Sequence, residues 1–259
     1  MNIHKNIKYS DTNQTLNVYT PLNNRQAPIV LLIHGGGFVA FDNTRLEPIV
    51  QQLSEIGCVV VTPNYRKLGP NIYITDALDD ILGAFFWTKV YGQTYGGNPN
   101  KMFIMGVSGG GLLAALVTNT RKYRLPTSVD LSISGTILCY ATVDMWKGRH
   151  LFPEIFKRFK IQPTPLLKHP NKQSFYQISP IWTLPKDQDL PPHLLMVGDK
   201  DTWVSVKSQK EYSRALVSHY TNVELIIAKN KKHDFLNPKQ IQSSKLEMDL
   251  ILQFIKRKM

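Results

Sequence analysis

Apolar positions along this chain fall into short unbroken runs, separated by longer stretches in which they recur every three or four residues. PIVLLIH (28–34) and CVVVTP (58–63) are runs of the first kind. A strand covered on both faces of a parallel sheet needs such a run, because neither side of its pleat meets water. KMFIMG (101–106), ISGTILCY (133–140) and HLLMVG (193–198) predict further strands of this sheet, and VELIIA (223–228) predicts the sixth of the series. TLNVYT (15–20) instead alternates apolar and polar residues and predicts an edge strand.

Helical spacing fills the intervals. Over 44–56 it sets Leu46, Ile49, Val50 and Leu53 on one face, and over 74–91 it sets Ala77, Leu78, Ile81, Ala84 and Phe85 inward. GLLAALVTNT predicts a helix directly after 101–106, and a last helix over about 239–257 is expected to bury Ile241, Leu246, Leu250, Ile251 and Phe254. Strand–helix alternation of this kind predicts one α/β domain over 1–259, with a mostly parallel central sheet and helices on both faces.

Residues 141–190 break the rhythm. They are rich in proline and hold no strand pattern, yet FPEIFKRFK puts Phe152, Ile155, Phe156 and Phe159 on one helical face. A long insertion inside a compact domain is usually functional, so 141–190 is expected to be a cap or lid over a pocket.

Composition adds boundaries. The chain has 259 residues, 42% apolar and 19% charged, a globular profile. No apolar run is long enough to span a bilayer, and MNIHKNIKYSDTNQ lacks the apolar core of a secretion signal. Cys58 and Cys139 each sit in an apolar stretch and read as buried thiols. A cytoplasmic protein without metal or organic cofactor and without stable membrane association is expected. The net charge is +12, and ten of those charges come from 141–185 and 229–259. No nucleic-acid motif accompanies them. Their expected role is a solvated surface, with Lys229, Lys231 and Lys232 near the site favouring anionic substrates at the pocket mouth.

Chemistry concentrates where strands end. Gly106-Val107-Ser108-Gly109-Gly110 follows one strand and opens a helix. A serine in so sharp a turn needs glycine two residues to either side, because a Cβ there would collide. The motif is common enough to be weak alone. His34-Gly35-Gly36-Gly37-Phe38 after 28–34 is far rarer. Consecutive glycines let backbone N–H groups converge on one anionic oxygen. Gly36, Gly37 and Gly109 are the expected donors, and His34 is expected to brace the loop. A phosphate loop would need a lysine or a glycine spacing that is absent here.

A serine hydroxyl needs a base, and the base an orienting acid. After 193–198 stand Asp199 and Asp201, and after 223–228 stands His233. Both loops lie at strand ends, as Ser108 does. Between the acids Asp201 is preferred, since Asp199 lies tight against the strand and suits turn capping.

With HGGGF at 34–38, NYRK at 64–67, GVSGGG at 106–111, PPHLLMVGDKD at 191–201 and KHDF at 232–235, the sequence resembles the α/β-hydrolase fold and, within it, the hormone-sensitive-lipase-like esterases. The resemblance runs from about Pro28 to Phe235. It implies a Ser108–Asp201–His233 triad, an oxyanion hole of Gly36, Gly37 and Gly109, and cleavage of small acyl esters through an acyl-enzyme. The chain departs from the family pattern at Asp201-Thr202-Trp203, His233-Asp234-Phe235 and Asn64-Tyr65-Arg66-Lys67, and its N-terminal cap is short. Compact relatives include arylformamidases, so amide hydrolysis stands as an alternative. An interfacial lipase using the 152–159 helix is another, and a binding protein on the same scaffold a third.

Overall fold

The computed structural model describes residues 1–22, 25–126, 128–186 and 189–259. Its eight strands are β1 (Asn2–Lys8), β2 (Thr15–Thr20), β3 (Ala27–Ile33), β4 (Val59–Pro63), β5 (Gly97–Val107), β6 (Gly135–Cys139), β7 (His193–Gly198) and β8 (Val223–Ala228). They form one sheet in the order β1-β2-β4-β3-β5-β6-β7-β8. Only β2 runs against the rest: it pairs antiparallel with both β1 and β4, and every other pairing is parallel.

The unbroken apolar runs divide by strict alternation. Ile29, Leu31 and Ile33 of β3 join the core on one face with α2 (Ile74–Tyr91), α3 (Gly109–Arg124) and α7 (Val206–Ser218). Val30 and Leu32 join the opposite core with α1 (Glu47–Glu55) and α8 (Lys245–Lys256). Both layers exclude water from the central strands, which explains why the sequence shows no polar face there.

Two expectations are corrected. TLNVYT is an interior strand, because β1 covers its outer side. The polar letter that suggested an edge, Asn17, is only 4% exposed, and its Oδ1 accepts a hydrogen bond from the Asn6 N–H at 2.9 Å. That bond falls within the irregularity of β1 between His4 and Ile7. Leu246 is 68% exposed, not buried. The final helix begins at Lys245 and buries Met248, Ile251, Phe254 and Ile255. Leu246 lies two residues before Met248, about 200° around the helix, and so faces water.

Among the described residues, 141–190 hold three short α-helices, α4 (Met145–Gly148), α5 (Phe152–Phe159) and α6 (Lys172–Gln177), with two 3-10 turns beside them. Asp187 and Gln188 lie outside the described residues. Phe152, Ile155 and Phe156 of α5 turn inward and are each 6% exposed, so the apolar face is spent on the protein rather than displayed to an interface. Phe152 stacks over Phe38 at 6.3 Å between centroids, and Ile155 sits over Gly37, where a Cβ would come within 2.6 Å of it. Cys58 and Cys139 are buried and unpaired. No helix of the described residues is long and apolar enough to cross a membrane.

Candidate active site

Parallel strands deliver their following loops to one edge of the sheet. Ser108 stands there between β5 and α3 with φ 52° and ψ −121°, a left-handed backbone that a non-glycine residue rarely adopts. Its N–H is tied to the Cys139 carbonyl of the neighbouring strand at 2.9 Å. The flanking glycines are required by space. A Cβ on Gly110 would lie 2.3 Å from the carbonyl oxygens of both Ile33 and His34, and one on Gly106 would lie 2.2 Å from the Gly110 oxygen. Neither contact can relax, since all the partners are backbone of the central sheet or the turn itself.

Gly110→Ala is therefore expected to destabilise the fold by about 3 kcal/mol or more, read as a lowered urea midpoint. Gly83→Ala, inside α2 with only the Tyr9 ring in reach at 3.8 Å, is expected instead to raise it by about 0.5–1 kcal/mol. Equal shifts for the two variants would contradict the steric account.

His233 follows β8 and reaches across to the turn. The Ser108 hydroxyl donates to His233 Nε2 at 2.9 Å, and His233 Nδ1–H donates to Asp201 Oδ2 at 2.8 Å. Asp201 is fully buried at its side chain. Its other oxygen, Oδ1, accepts the backbone N–H groups of Trp203 and Val204, each at 2.8 Å. Turn capping, expected of Asp199, is thus performed by Asp201 itself, and Asp199 is exposed.

Aromatic walls hold the imidazole. Trp203 stacks on it at 5.3 Å with planes 17° apart, and Tyr140 meets it edge-on at 5.1 Å. Burial holds the Tyr140 phenol well above its ordinary pKa, so it stays neutral. The sequence motifs point to neither residue as a wall of the site. Trp203 stands two residues past Asp201 in the same loop, and Tyr140 directly follows β6, so the strand-end rule that located Ser108 could have located both.

The glycine loop after β3 turns back at Gly36, whose φ of +115° is open to glycine alone. Among the described residues, the N–H groups of Gly36, Gly37 and Gly109 donate to no other part of the chain. His34 is buried beneath the loop, its Nδ1–H donating to the Gly35 carbonyl at 2.8 Å. Its ring stacks on Tyr65, whose hydroxyl donates to the His34 carbonyl at 3.0 Å. Arg66 then clamps the Asn64–Lys67 stretch to α2 through Asp80 at 2.9 Å and Asp76 at 3.1 Å.

Burial lowers the pKa of His34 from 6.5 to about 4, and likewise that of His193 at the start of β7. Between those values the unfolded chain binds protons that the native chain refuses, so stability rises with pH there. Unfolding free energy is expected to fall as pH drops from about 6.5 towards 4. His193→Asn should flatten that slope in urea titrations; an unchanged slope would refute the assignment.

Two cavities flank Ser108. The larger, about 70 Å³, is lined by Phe41, Leu46, Ile49, Tyr140, Phe159 and Leu236, and the smaller, about 20 Å³, by Phe38, Leu151, Phe152 and Ile155. Gly37, Trp203 and His233 border both. None of Lys229, Lys231 and Lys232 borders either, and Lys231 turns away to Ser244 at 3.1 Å and Glu247 at 3.7 Å. The cationic groups at the larger cavity are Arg45 and Arg158. Among the described residues, no group of three or more His, Cys, Asp and Glu side chains is placed to hold a metal ion.

A mostly parallel sheet that throws a serine out of a left-handed strand-to-helix turn, beneath a glycine loop from the adjacent strand, defines the α/β-hydrolase class. The chain belongs to the alpha/beta hydrolase fold family, whose profile matches residues 30–237. Curated relatives include the probable carboxylic ester hydrolase LipM of Mycobacterium tuberculosis, 26% identical over 196 residues covering 72% of this chain and 44% of LipM. Isoprenylcysteine alpha-carbonyl methylesterase ICME of Arabidopsis thaliana is 26% identical over 251 residues, covering 89% of this chain and 56% of that protein. The chain spans about half the length of these relatives. Among solved structures, esterase 2 of Thermogutta terrifontis phosphoramylated by tabun superposes with a TM-score of 0.78 at 18% identity, covering 99% of this chain and 94% of that one. Its butyrate-bound form gives 0.77. That likeness concerns the fold.

Proposed function

We propose that this chain is a serine carboxylesterase acting on short acyl esters. The observation that carries the reading is the unbroken line of hydrogen bonds from Ser108 through His233 to Asp201, at 2.9 and 2.8 Å, ending in a small, largely apolar cavity. Asp201 keeps a proton on His233 Nδ1, which leaves the Nε2 lone pair to receive the Ser108 proton as Oγ attacks the ester carbonyl. The oxyanion meets the N–H groups of Gly36, Gly37 and Gly109. Protonated Nε2 then passes its proton to the departing alkoxide, which leaves an acyl-Ser108. Water then takes the place of the departed alcohol: Nε2 removes its proton as it attacks the acyl carbon and hands that proton to Ser108 Oγ as the acyl–oxygen bond breaks and the acid leaves. Fixed donors suit an oxyanion because they need no reorganisation when charge appears.

The names of LipM and ICME, both ester hydrolases, support the reaction class. Residues 141–190 act as a cap, since α5 presses Ile155 and Phe152 onto the glycine loop beside Ser108. Two buried, unpaired cysteines suit a reducing compartment such as the cytoplasm. The test is hydrolysis of p-nitrophenyl esters from acetate to dodecanoate, together with labelling by an alkyl fluorophosphonate. Turnover should be fastest for the short esters, and peptide mass analysis should place one phosphonyl adduct on Ser108. An adduct on any other residue, or no turnover of any ester, would defeat the proposal.

A further inference from the structure

The larger cavity beside Ser108 carries more than an apolar lining. Apart from the triad line, its charged and amide side chains are Arg45, Arg158, Asp234 and Asn237. Three of them are spent on local bonds. Asp234 Oδ2 pairs with Arg45 Nη2 at 2.5 Å. Asn237 donates to the Asp234 carbonyl at 2.6 Å and accepts from the Lys239 N–H at 2.8 Å. Arg45 also lies over the Phe41 ring at 3.9 Å. The Arg45–Asp234 pair is formally neutral and closes one side of the cavity.

Arg158 differs. Among the described residues it has no carboxylate partner. The side chain is exposed, and its guanidinium carbon lies within cation–π reach of two rings, 5.4 Å from the Trp203 centroid and 6.0 Å from that of Phe159, both of which line the same cavity. Aromatic faces take up the flat side of a guanidinium and leave its N–H edges free. Lys157 and Lys160 flank it at the end of α5, against one carboxylate, Glu154, a turn earlier that makes no ion pair with it, so the charge along this helix is net positive. The result is a guanidinium with no ion-pair partner among the described residues, at the wall of an apolar chamber that ends at Ser108.

We infer that Arg158 selects esters bearing a carboxylate beyond an apolar stretch: hemiesters of dicarboxylic acids, or esters of carboxylate-bearing alcohols. This rests on the serine esterase reading above and adds the substrate class. Arg158 touches no reacting atom in this scheme; it is a specificity residue, and the bonds made and broken are those already described. A planar fork meets a carboxylate with two parallel hydrogen bonds, which a neutral isostere cannot accept as well.

Two substrate pairs test it, one for each side of the ester. The first is p-nitrophenyl hydrogen adipate against p-nitrophenyl hexanoate, and the second is p-acetoxybenzoate against its methyl ester. The readout is the ratio of kcat/KM for the anionic to the neutral member. In the wild type at least one ratio should favour the anion and fall as salt rises. Arg158→Gln should cut that ratio by about tenfold, chiefly through KM, and Arg158→Lys should restore part of it. Lys157→Gln removes the same charge one residue away, outside the cavity, and should leave the ratio within about twofold. The arm that responds says whether the acyl or the alcohol portion occupies this cavity. If Arg158→Gln slows both members of each pair equally, Arg158 only fastens α5 to Trp203 and the inference is wrong. It is equally wrong if Lys157→Gln lowers the ratio as much. If no member of either pair is hydrolysed, the esterase reading itself fails, which is a distinguishable result.

Discussion

Ser108→Ala is expected to abolish ester hydrolysis, with kcat falling by 10⁴-fold on the order of magnitude or more, while the protein stays folded. The substitution removes one atom, and that atom is the proposed nucleophile. Among the described residues, no other hydroxyl is hydrogen-bonded to His233. The strained turn does not depend on it: the Ser108 backbone is held by its bond to Cys139 and by the glycines packed against the ends of β3 and β5. Losing the Oγ–Nε2 bond leaves the imidazole nitrogen facing a cavity that admits water, so the cost to stability should stay within about 1 kcal/mol. Circular dichroism and the urea midpoint check the fold; initial rates with p-nitrophenyl butyrate, and the absence of a pre-steady-state burst, check the chemistry. A variant that retained a tenth of wild-type turnover would place the nucleophile elsewhere.

The parts of this arrangement legible in the sequence are those in which one local constraint writes its own letters. Double burial writes continuous apolar runs, and so β3 through β7 stand out. A turn with no room for a Cβ writes glycine at 106 and 110. The two edges of the sheet differ: β8 still writes a mostly apolar VELIIA although it is only half-buried, whereas β1 is exposed along most of its length, takes polar residues on both faces and carries no strand signal of its own. With no signal in β1, the alternation of β2 by itself suggests an edge. Asn17 looked like an outward position although it is a buried partner of the β1 backbone.

The same contrast holds at the site. Ser108, Asp201 and His233 each follow a strand, and a parallel sheet gathers such loops at one edge, so their meeting could be argued from spacing alone. The walls around them depend on which side chains from distant segments come to lie together. Arg158 on α5 above Trp203, and Arg45 against Asp234 across 189 residues of sequence, are products of packing. Lysine density near His233 suggested the source of positive charge, whereas the chain turns Lys231 outward to Glu247 and brings arginines in from elsewhere.

Asp201→Asn separates orientation from nucleophilicity and distinguishes the two aspartates of the same loop. Asp201 Oδ1 already holds two backbone N–H groups, of Trp203 and Val204, and no amide nitrogen can take that place without facing two donors in a buried site. Asparagine must therefore keep its oxygen on the loop and present its NH₂ to His233 Nδ1. That reverses the bond. Nδ1 becomes the acceptor, the proton moves to Nε2, and the ring now points a donor at Ser108 Oγ where a base is needed. The loop should remain in place, so KM changes little while kcat falls by about 10⁴-fold. Asp199→Asn alters an exposed side chain two residues earlier, and its rate should stay within about twofold of wild type. The opposite pair of outcomes, a slow Asp199 variant and a fast Asp201 variant, would hand the acid's role to Asp199 and require the strand-end loop after β7 to rearrange on binding substrate.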